Sequence, residues 1–345
     1  MSGEADAVGR HSRSRLFSGI GAQGQDRIRR SSIAIVGVGA IGAAAAEMAV
    51  RSGIGRLTLI DRDVVELSNL SRQFLFDERD AVEVSPKAHA AARRLTAIDS
   101  GVDVRGVVAD LDFTNAKTLL GGHDVIFDAS DNFETRLLVS DAARSLLALS
   151  VYAACVGDQG LVAVTGPGAP CLRCYLEALP PAGSGPTCDT VGVVPTLPPT
   201  VAGIAMTEAL RALAGAPTSR GVLSLRAWDG AWRSRRLFES AEPSALCPVC
   251  SEGRFPALEG EGASEVVKLC GRSAVQVAPA SRERPDLAGL ERRLSRVGQV
   301  RRSEHLLSAD VEDVSLTVFA DGRCVVRGTG DPLRARSLYE RYIGR

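Results

Sequence analysis

The stretch from Ser31 to Asp61, SSIAIVGVGAIGAAAAEMAVRSGIGRLTLID, constrains this chain more than any other. Ile33, Ala34, Ile35 and Val36 form an apolar run of the kind buried on both faces of a parallel sheet. Gly37, Gly39 and Gly42 follow at G-x-G-x-x-G spacing, and the alanine-rich segment 43–49 continues as a helix. Gly53 and Gly55 break that helix, and residues 57–60 form a second strand ending at Asp61. In such a strand–turn–helix–strand unit the glycines let a phosphate approach backbone N–H groups at a helix N-terminus. Asp61, 19 positions after Gly42, comes within reach of a ribose hydroxyl. The stretch predicts a nucleotide site, with a dinucleotide such as NAD as its default occupant.

At 345 residues the chain suffices for a large domain and a small one. Lys and Arg balance Asp and Glu at 41 each, so no general electrostatic pull toward nucleic acid or membrane is expected. No apolar run approaches a membrane span. The start is polar, with Arg10, Arg13 and Arg15 and no apolar core, so it does not read as a signal peptide. A cytoplasmic location is the expectation, and there cysteines serve as ligands, nucleophiles or buried thiols rather than disulfides.

In chain order, residues 1–9 read as a disordered start and 10–30 as a basic, glycine-broken, solvated arm. Residues 61–76, DRDVVELSNLSRQFLF, are polar and aperiodic, hence a loop at the carboxyl end of a parallel strand, where ligands bind in such sheets. Asn69, Arg72 and Gln73 are placed to face the nucleotide, with Asp63 beside them. Lys87 opens a helix behind Pro86. Strands are expected at 102–108, 124–129, 151–155 and 161–164, with a helix over 133–149. Ser130, Asp131 and Asn132 stand at the carboxyl end of the fourth strand. Arg72 and Lys87 supply fixed positive charge for phosphates. Asp131 can hold Mg²⁺, which needs only one or two carboxylates beside phosphates and waters. Taken singly, Arg72 and Lys87 read as surface charges and Asp131 as a helix N-cap; the constellation favours adenylation over hydride transfer.

Four segments, GVGAIG, IDRDVVELSNLSRQ, SPKA and SDN, together resemble the ThiF/MoeB/HesA family, relatives of the ubiquitin-activating enzymes, over roughly residues 10–250. The resemblance implies ATP-dependent adenylation of the C-terminal glycine of a small ubiquitin-like sulfur carrier ending in Gly-Gly. It implies Gly39 and Asp61 at the nucleoside, Asn69, Arg72, Gln73 and Lys87 around the phosphates, and Asp131 on the metal. The glycines Gly37 and Gly42, with Asp63 and Asn132, complete the expected nucleotide-binding set. The family's arginine that reaches the ATP of the other subunit of a homodimer aligns with Arg13, although His11 and Ser14 replace its usual tyrosine and glutamine neighbours.

Cys171 and Cys174 form one C-x-x-C pair, and Cys247 and Cys250 a second, flanked by Pro170 and Pro248. Two such pairs fit a closed structural Zn²⁺ site with four thiolates. Residues 176–200 between them are rich in Pro, Gly and small residues and read as a mobile crossover loop. That loop carries Cys188, which the resemblance implies as a nucleophile toward the acyl-adenylate or a persulfidated partner, with a sulfur donor such as a cysteine desulfurase behind it. A helix over 201–213 and a hairpin around Asp229-Gly230 close the domain.

The expected organisation is an N-terminal arm over 1–30, an ATP-binding adenylation domain over 31–250, a linker over 251–264 and a small α+β domain over 265–345. In the last, Cys270 and Cys324 read as buried or incidental thiols. The expected fold class is α/β, a Rossmann-like, mostly parallel sheet with helices on both faces and a structural zinc site. The alternatives are activation of a peptide or another carboxylate by the same fold, an NAD-dependent oxidoreductase, and a non-catalytic nucleotide-binding scaffold.

Overall fold

The computed structural model describes residues 9–176, 188–219, 221–229, 233–237, 243–261, 266–268, 273–277, 285–303 and 305–343. The chain divides into two compact units, one of Met1–Ala182 with Gly192–Glu261 and one of Gly183–Val191 with Gly262–Arg345. Among the described residues no helix is long and apolar enough to cross a membrane.

The first unit is built on an eight-stranded sheet of order β3-β2-β1-β4-β5-β6-β7-β8. The strands are β1 (Ser32–Val36), β2 (Arg56–Asp61), β3 (Asp103–Val108), β4 (Val125–Asp128), β5 (Leu149–Val156), β6 (Gln159–Thr165), β7 (Val222–Arg226) and β8 (Arg233–Leu237). β1 to β5 pair in parallel, whereas β6, β7 and β8 continue the sheet antiparallel.

The apolar run of β1 is divided by its period of two between two cores. Ile33 and Ile35 pack with the helices Ala40–Arg51, Lys87–Ile98 and Leu197–Ala214. Ala34 and Val36 face the opposite layer, where the helices Ala116–Leu120 and Phe133–Ser145 lie. The connection leaving β1 thus runs on one face and the connection leading into β4 on the other. That makes the crevice between β1 and β4 the topological switch point, where ligands bind in sheets of this kind.

Several boundaries differ from the sequence reading. Segment 10–30 folds as two helices, Ser12–Leu16 and Gly21–Ile28. Ile28 is fully buried, and Gln25 donates to the Ser52 carbonyl at 2.8 Å. The helix expected over 133–149 stops at Ser145, because Leu147 takes a positive φ of 55° and Leu149 enters β5. Residues 251–261 belong to the first unit, with Ala257 and Leu258 packed on the second core layer. In the crossover segment a helix, Cys188–Val191, forms, and the next helix begins at Leu197 with two prolines in its first turn. Residues 1–8, Gly230 and Cys270 lie outside the described residues.

The second unit is a six-stranded antiparallel sheet of order β11-β12-β13-β14-β10-β9. Its strands are β9 (Val266–Lys268), β10 (Ala274–Val277), β11 (Gln299–Arg302), β12 (Leu306–Val311), β13 (Val314–Phe319) and β14 (Cys324–Arg327). The helices Leu287–Leu294 and Pro332–Tyr342 pack against it through Leu290, Leu294 and Leu338. Cys324 is fully buried in this core.

Candidate active site

The glycine loop is shaped by close approach. Gly37 takes a φ of 84°, and a Cβ there would meet the Ala129 carbonyl oxygen at 2.7 Å. A Cβ on Gly42 would meet the Gly37 carbonyl oxygen at 1.8 Å, so neither position admits a side chain. The same packing presses the β1 loop onto the segment leaving β4. Gly39 caps the helix Ala40–Arg51, and among the described residues the one group within 4 Å of its missing Cβ is Gln73 Nε2, at 4.0 Å. Gln73 is itself buried, and its Oε1 has no hydrogen-bond partner among the described residues. An open backbone at a helix N-terminus beside a buried, orphaned amide oxygen is a cradle shaped for a polar ligand.

Asp61 ends β2 beneath this loop. Its Oδ2 accepts from the Val38 N–H at 2.6 Å and its Oδ1 from the Asp63 N–H at 2.7 Å. Burial pushes its carboxyl above the usual range, against the pull of Lys87 and those two N–H groups. The 61–76 loop is laced to the start of the helix Lys87–Ile98 through Val65 N–H to the Ser85 carbonyl and Lys87 N–H to the Asp63 carbonyl, both 2.9 Å. This lacing buries Lys87 and sets its ammonium 3.3 Å from Asp63. Lys87, expected at the phosphates, is thus oriented by a carboxylate two residues beyond Asp61.

Asn69 is fully buried and turned into its own loop, its Oδ1 accepting from the Glu66 N–H at 3.1 Å. Arg72 spans the same turn, donating to the Ser68 carbonyl at 2.8 Å. At the end of β4, Asn132 is the helix N-cap, its Oδ1 accepting from the Thr135 N–H at 2.8 Å. Asp131 is released from capping and stands exposed, receiving one hydrogen bond from Asn132 Nδ2 at 3.3 Å. The structure therefore brings Gly37, Gly39, Gly42, Asp61, Asp63, Gln73, Lys87, Asp131 and Asn132 to the carboxyl ends of β1, β2 and β4.

Arg13 is not brought there within its own chain. Its helix lies at the far end of Ala40–Arg51, where His11 fills the space beside Gly53 and Arg10 pairs with Asp99 at 2.7 Å. Gly39 is at the other end of that 12-residue helix, a separation of about 18 Å. Cys188 opens the short helix Cys188–Val191.

Three groups escaped the sequence reading. Asp128 is buried and accepts from both the N–H and the hydroxyl of Ser130. Arg136 donates to the Ser130 carbonyl, and its position four residues after the helix cap was the only signal available. Arg62 pairs with Asp110 at 3.0 Å, and Asp110, Asp63 and Asp131 hold its guanidinium charged against the opposing effect of burial.

The four cysteines of the two C-x-x-C pairs converge, with all sulfurs within 4.8 Å of one another. Cys171–Cys174, Cys171–Cys247 and Cys174–Cys250 are separated by 3.8, 3.5 and 3.7 Å. A tetrahedron with metal–sulfur bonds of about 2.3 Å has edges of about 3.8 Å, so the cluster could hold a metal ion. Burial pushes the Cys171 and Cys174 thiols up, so a cation would have to displace their protons.

Fold and site together define an α/β nucleotide-binding enzyme. Residues 11–249 match the ThiF family, and the chain belongs to it. It is 41% identical over 339 residues to the sulfur carrier protein ThiS adenylyltransferase of Bacillus subtilis strain 168, covering 98% of this chain and all of that protein. It is 36% identical to a sulfur carrier protein adenylyltransferase of Thermus thermophilus, over 72% of this chain and 92% of that one. The SAMP-activating enzyme E1 of Haloferax volcanii is 35% identical over 75% of this chain and 94% of its own. The fold is similar to that of E. coli MccB crystallised with MccA-N7isoASN, with a TM-score of 0.61, 21% identity and coverage of 71% of this chain and 74% of that one.

Proposed function

We propose that this protein adenylates the C-terminal glycine of a small ubiquitin-like sulfur carrier, using ATP. The observation that carries this reading is the convergence at the β1–β4 crevice of an open glycine loop, a lysine held by Asp63 and an exposed aspartate freed from capping. Identity to a ThiS adenylyltransferase across both units favours a ThiS-type carrier. The carrier's carboxylate oxygen attacks the α-phosphate, the bond to the β-phosphate breaks, and pyrophosphate leaves an acyl-adenylate. Positioning and electrostatics do most of this work. Lys87 and Arg72 face the phosphate charge, Gly39 and Gln73 line the nucleotide cradle, and Asp61 receives the ribose. Asp131 is the residue suited to hold Mg²⁺, which would offset phosphate charge there.

The cysteine cluster is read as a structural zinc site, closed by four thiolates. Arg13 is read as acting across a homodimer, because its own chain holds it at the wrong end of the helix. Cys188 is read as serving after adenylation, at the activated carbonyl or at a persulfide delivered by a sulfur donor such as a cysteine desulfurase. A cluster of reduced thiols suits the cytoplasm.

The deciding experiment is carrier-dependent exchange of pyrophosphate into ATP. Wild-type protein should exchange in Mg²⁺. Asp131→Ala should not, while melting close to the wild type, because among the described residues the exposed Asp131 makes one hydrogen bond, with Asn132 Nδ2, and Arg62, on which it also pulls, keeps its ion pair with Asp110. Exchange at the wild-type rate by that variant would remove Asp131 from the mechanism.

A further inference from the structure

We propose that Arg136 is a positioning residue that fixes where Asp131 presents its carboxylate, and so sets the affinity for metal-bound ATP. This rests on the adenylation reading of the site. Asp131 is exposed and, among the described residues, has one side-chain hydrogen bond, from its neighbour Asn132, beside the longer-range pull of Arg62. Its place is therefore set by the backbone from Ser130 to Asn132.

That backbone is held at three points. From below, Asp128 Oδ1 accepts the Ser130 N–H at 3.0 Å and the Ser130 hydroxyl at 2.6 Å. On the helix side, the Asn132 carboxamide accepts the Thr135 N–H. The remaining carbonyl of Ser130 is taken by Arg136, whose Nε and Nη2 donate to it at 3.3 and 3.2 Å. Side chains of a helix lean toward its N-terminus, which lets Arg136 reach back six residues to this oxygen.

A helix's first turn is a poor place for a cation, because the backbone dipole is positive there. Helix formation alone does not call for an arginine at 136. The fold compensates with aromatic faces: the guanidinium lies 4.9 Å from the Phe133 ring centroid and 5.4 Å from that of Tyr152, which reaches in from β5. The arginine also opposes the burial that pushes the Asp128 carboxyl up, which helps keep the lower tie to Ser130 charged. A planar fork can stack on the rings and place two donors on one carbonyl together; an ammonium cannot.

The test is calorimetric binding of the non-hydrolysable analogue AMP-CPP, with saturating Mg²⁺ and without added metal, to the full-length wild-type, Arg136→Gln and Arg136→Lys proteins. In Arg136→Gln the Mg²⁺-supported affinity should fall about tenfold or more and the metal-free affinity should stay within about twofold, as for loss of an outer-shell support to a metal ligand. Arg136→Lys should lie between, and pyrophosphate exchange should need more Mg²⁺ in both. Equal losses with and without Mg²⁺ would mean that Arg136 only holds the fold or touches the nucleotide, and no loss in either would mean that it does nothing for Asp131; each overturns the proposal. Should Arg136→Gln fail to fold, Arg136→Lys decides by the same comparison. Wild-type protein that binds the analogue but never exchanges pyrophosphate would overturn the adenylation reading while the binding comparison still judges Arg136.

Discussion

Arg173, inside the Cys171–Cys174 turn, grips Asp141 with two hydrogen bonds, at 3.2 and 3.1 Å, where Asp141 is wholly buried. Asp141 Oδ2 also accepts the Ala257 N–H at 2.9 Å. One carboxylate on the helix that follows Asp131 thus ties down both the first cysteine knuckle and the chain beyond the second. The neighbouring Ser140 hydroxyl accepts the Leu172 N–H at 3.1 Å, adding a further tie to the same turn.

Removing one partner of a buried pair leaves the other charge uncompensated, at a cost of about 3–5 kcal/mol. Asp141→Ala should therefore lose stability on that scale in urea denaturation. Its cysteine cluster should also exchange metal faster, read as chromophoric chelator capture. Wild-type stability in this variant would show that the pair is dispensable.

The cysteine cluster should carry one zinc per chain. Cys247→Ser should lower bound metal, measured by mass spectrometry of purified protein, and stability together, since metal binding to such a site is folding free energy. A metal-free wild-type protein with an unchanged melting transition would exclude the assignment.

Acid should destabilise the fold through two histidines. Burial lowers His11 below its ordinary value of 6.5, with Arg10, Arg29 and Arg15 adding to the effect and Asp99 opposing it. His123, against Leu120 and Thr58, is likewise lowered mainly by burial. Both bind fewer protons folded than unfolded, so their contribution is present above about pH 6.5 and is lost as pH falls below it. The urea midpoint should drop between pH 7.5 and 5.5, and a His11→Gln, His123→Gln double variant should show a shallower drop. An equal slope in wild type and variant would assign the acid sensitivity elsewhere.

If Arg13 acts across a dimer, neither Arg13→Ala nor Asp131→Ala alone should exchange pyrophosphate well. A mixture that swaps subunits should regain activity. Each mixed dimer contains one site with both residues intact, and a delivered guanidinium stabilises charge developing on the phosphates. No recovery in a mixture shown to form mixed dimers would count against action in trans.

The sequence by itself determined the features encoded in local spacing. The glycine triplet dictates a turn that only glycine can make at 37 and 42, and the apolar run before it dictates a strand buried on both faces. Two C-x-x-C pairs specify two short turns able to offer two thiols each. The start of the Lys87 helix followed from proline placement, and a strand ending at Asp61 from the glycines that break the helix before it, although the strand begins at Arg56, one residue earlier than expected. Tertiary structure alone decided which charges meet. Asp141 and Arg173 are 32 residues apart, and nothing local marks them as partners. Arg10, Gln25 and Ile28 looked like a solvated arm because the segment is basic and broken by glycine, but distant partners, Asp99 and the Ser52 carbonyl among them, fold it. Strands β11 and β12 lacked a clear apolar alternation and became strands by pairing with each other and with β13. At the site, the competition between Asp131 and Asn132 for the helix cap was settled by the backbone geometry at the end of β4. That choice leaves a carboxylate exposed at the crevice, while Arg136 reaches back to the Ser130 carbonyl one residue before it.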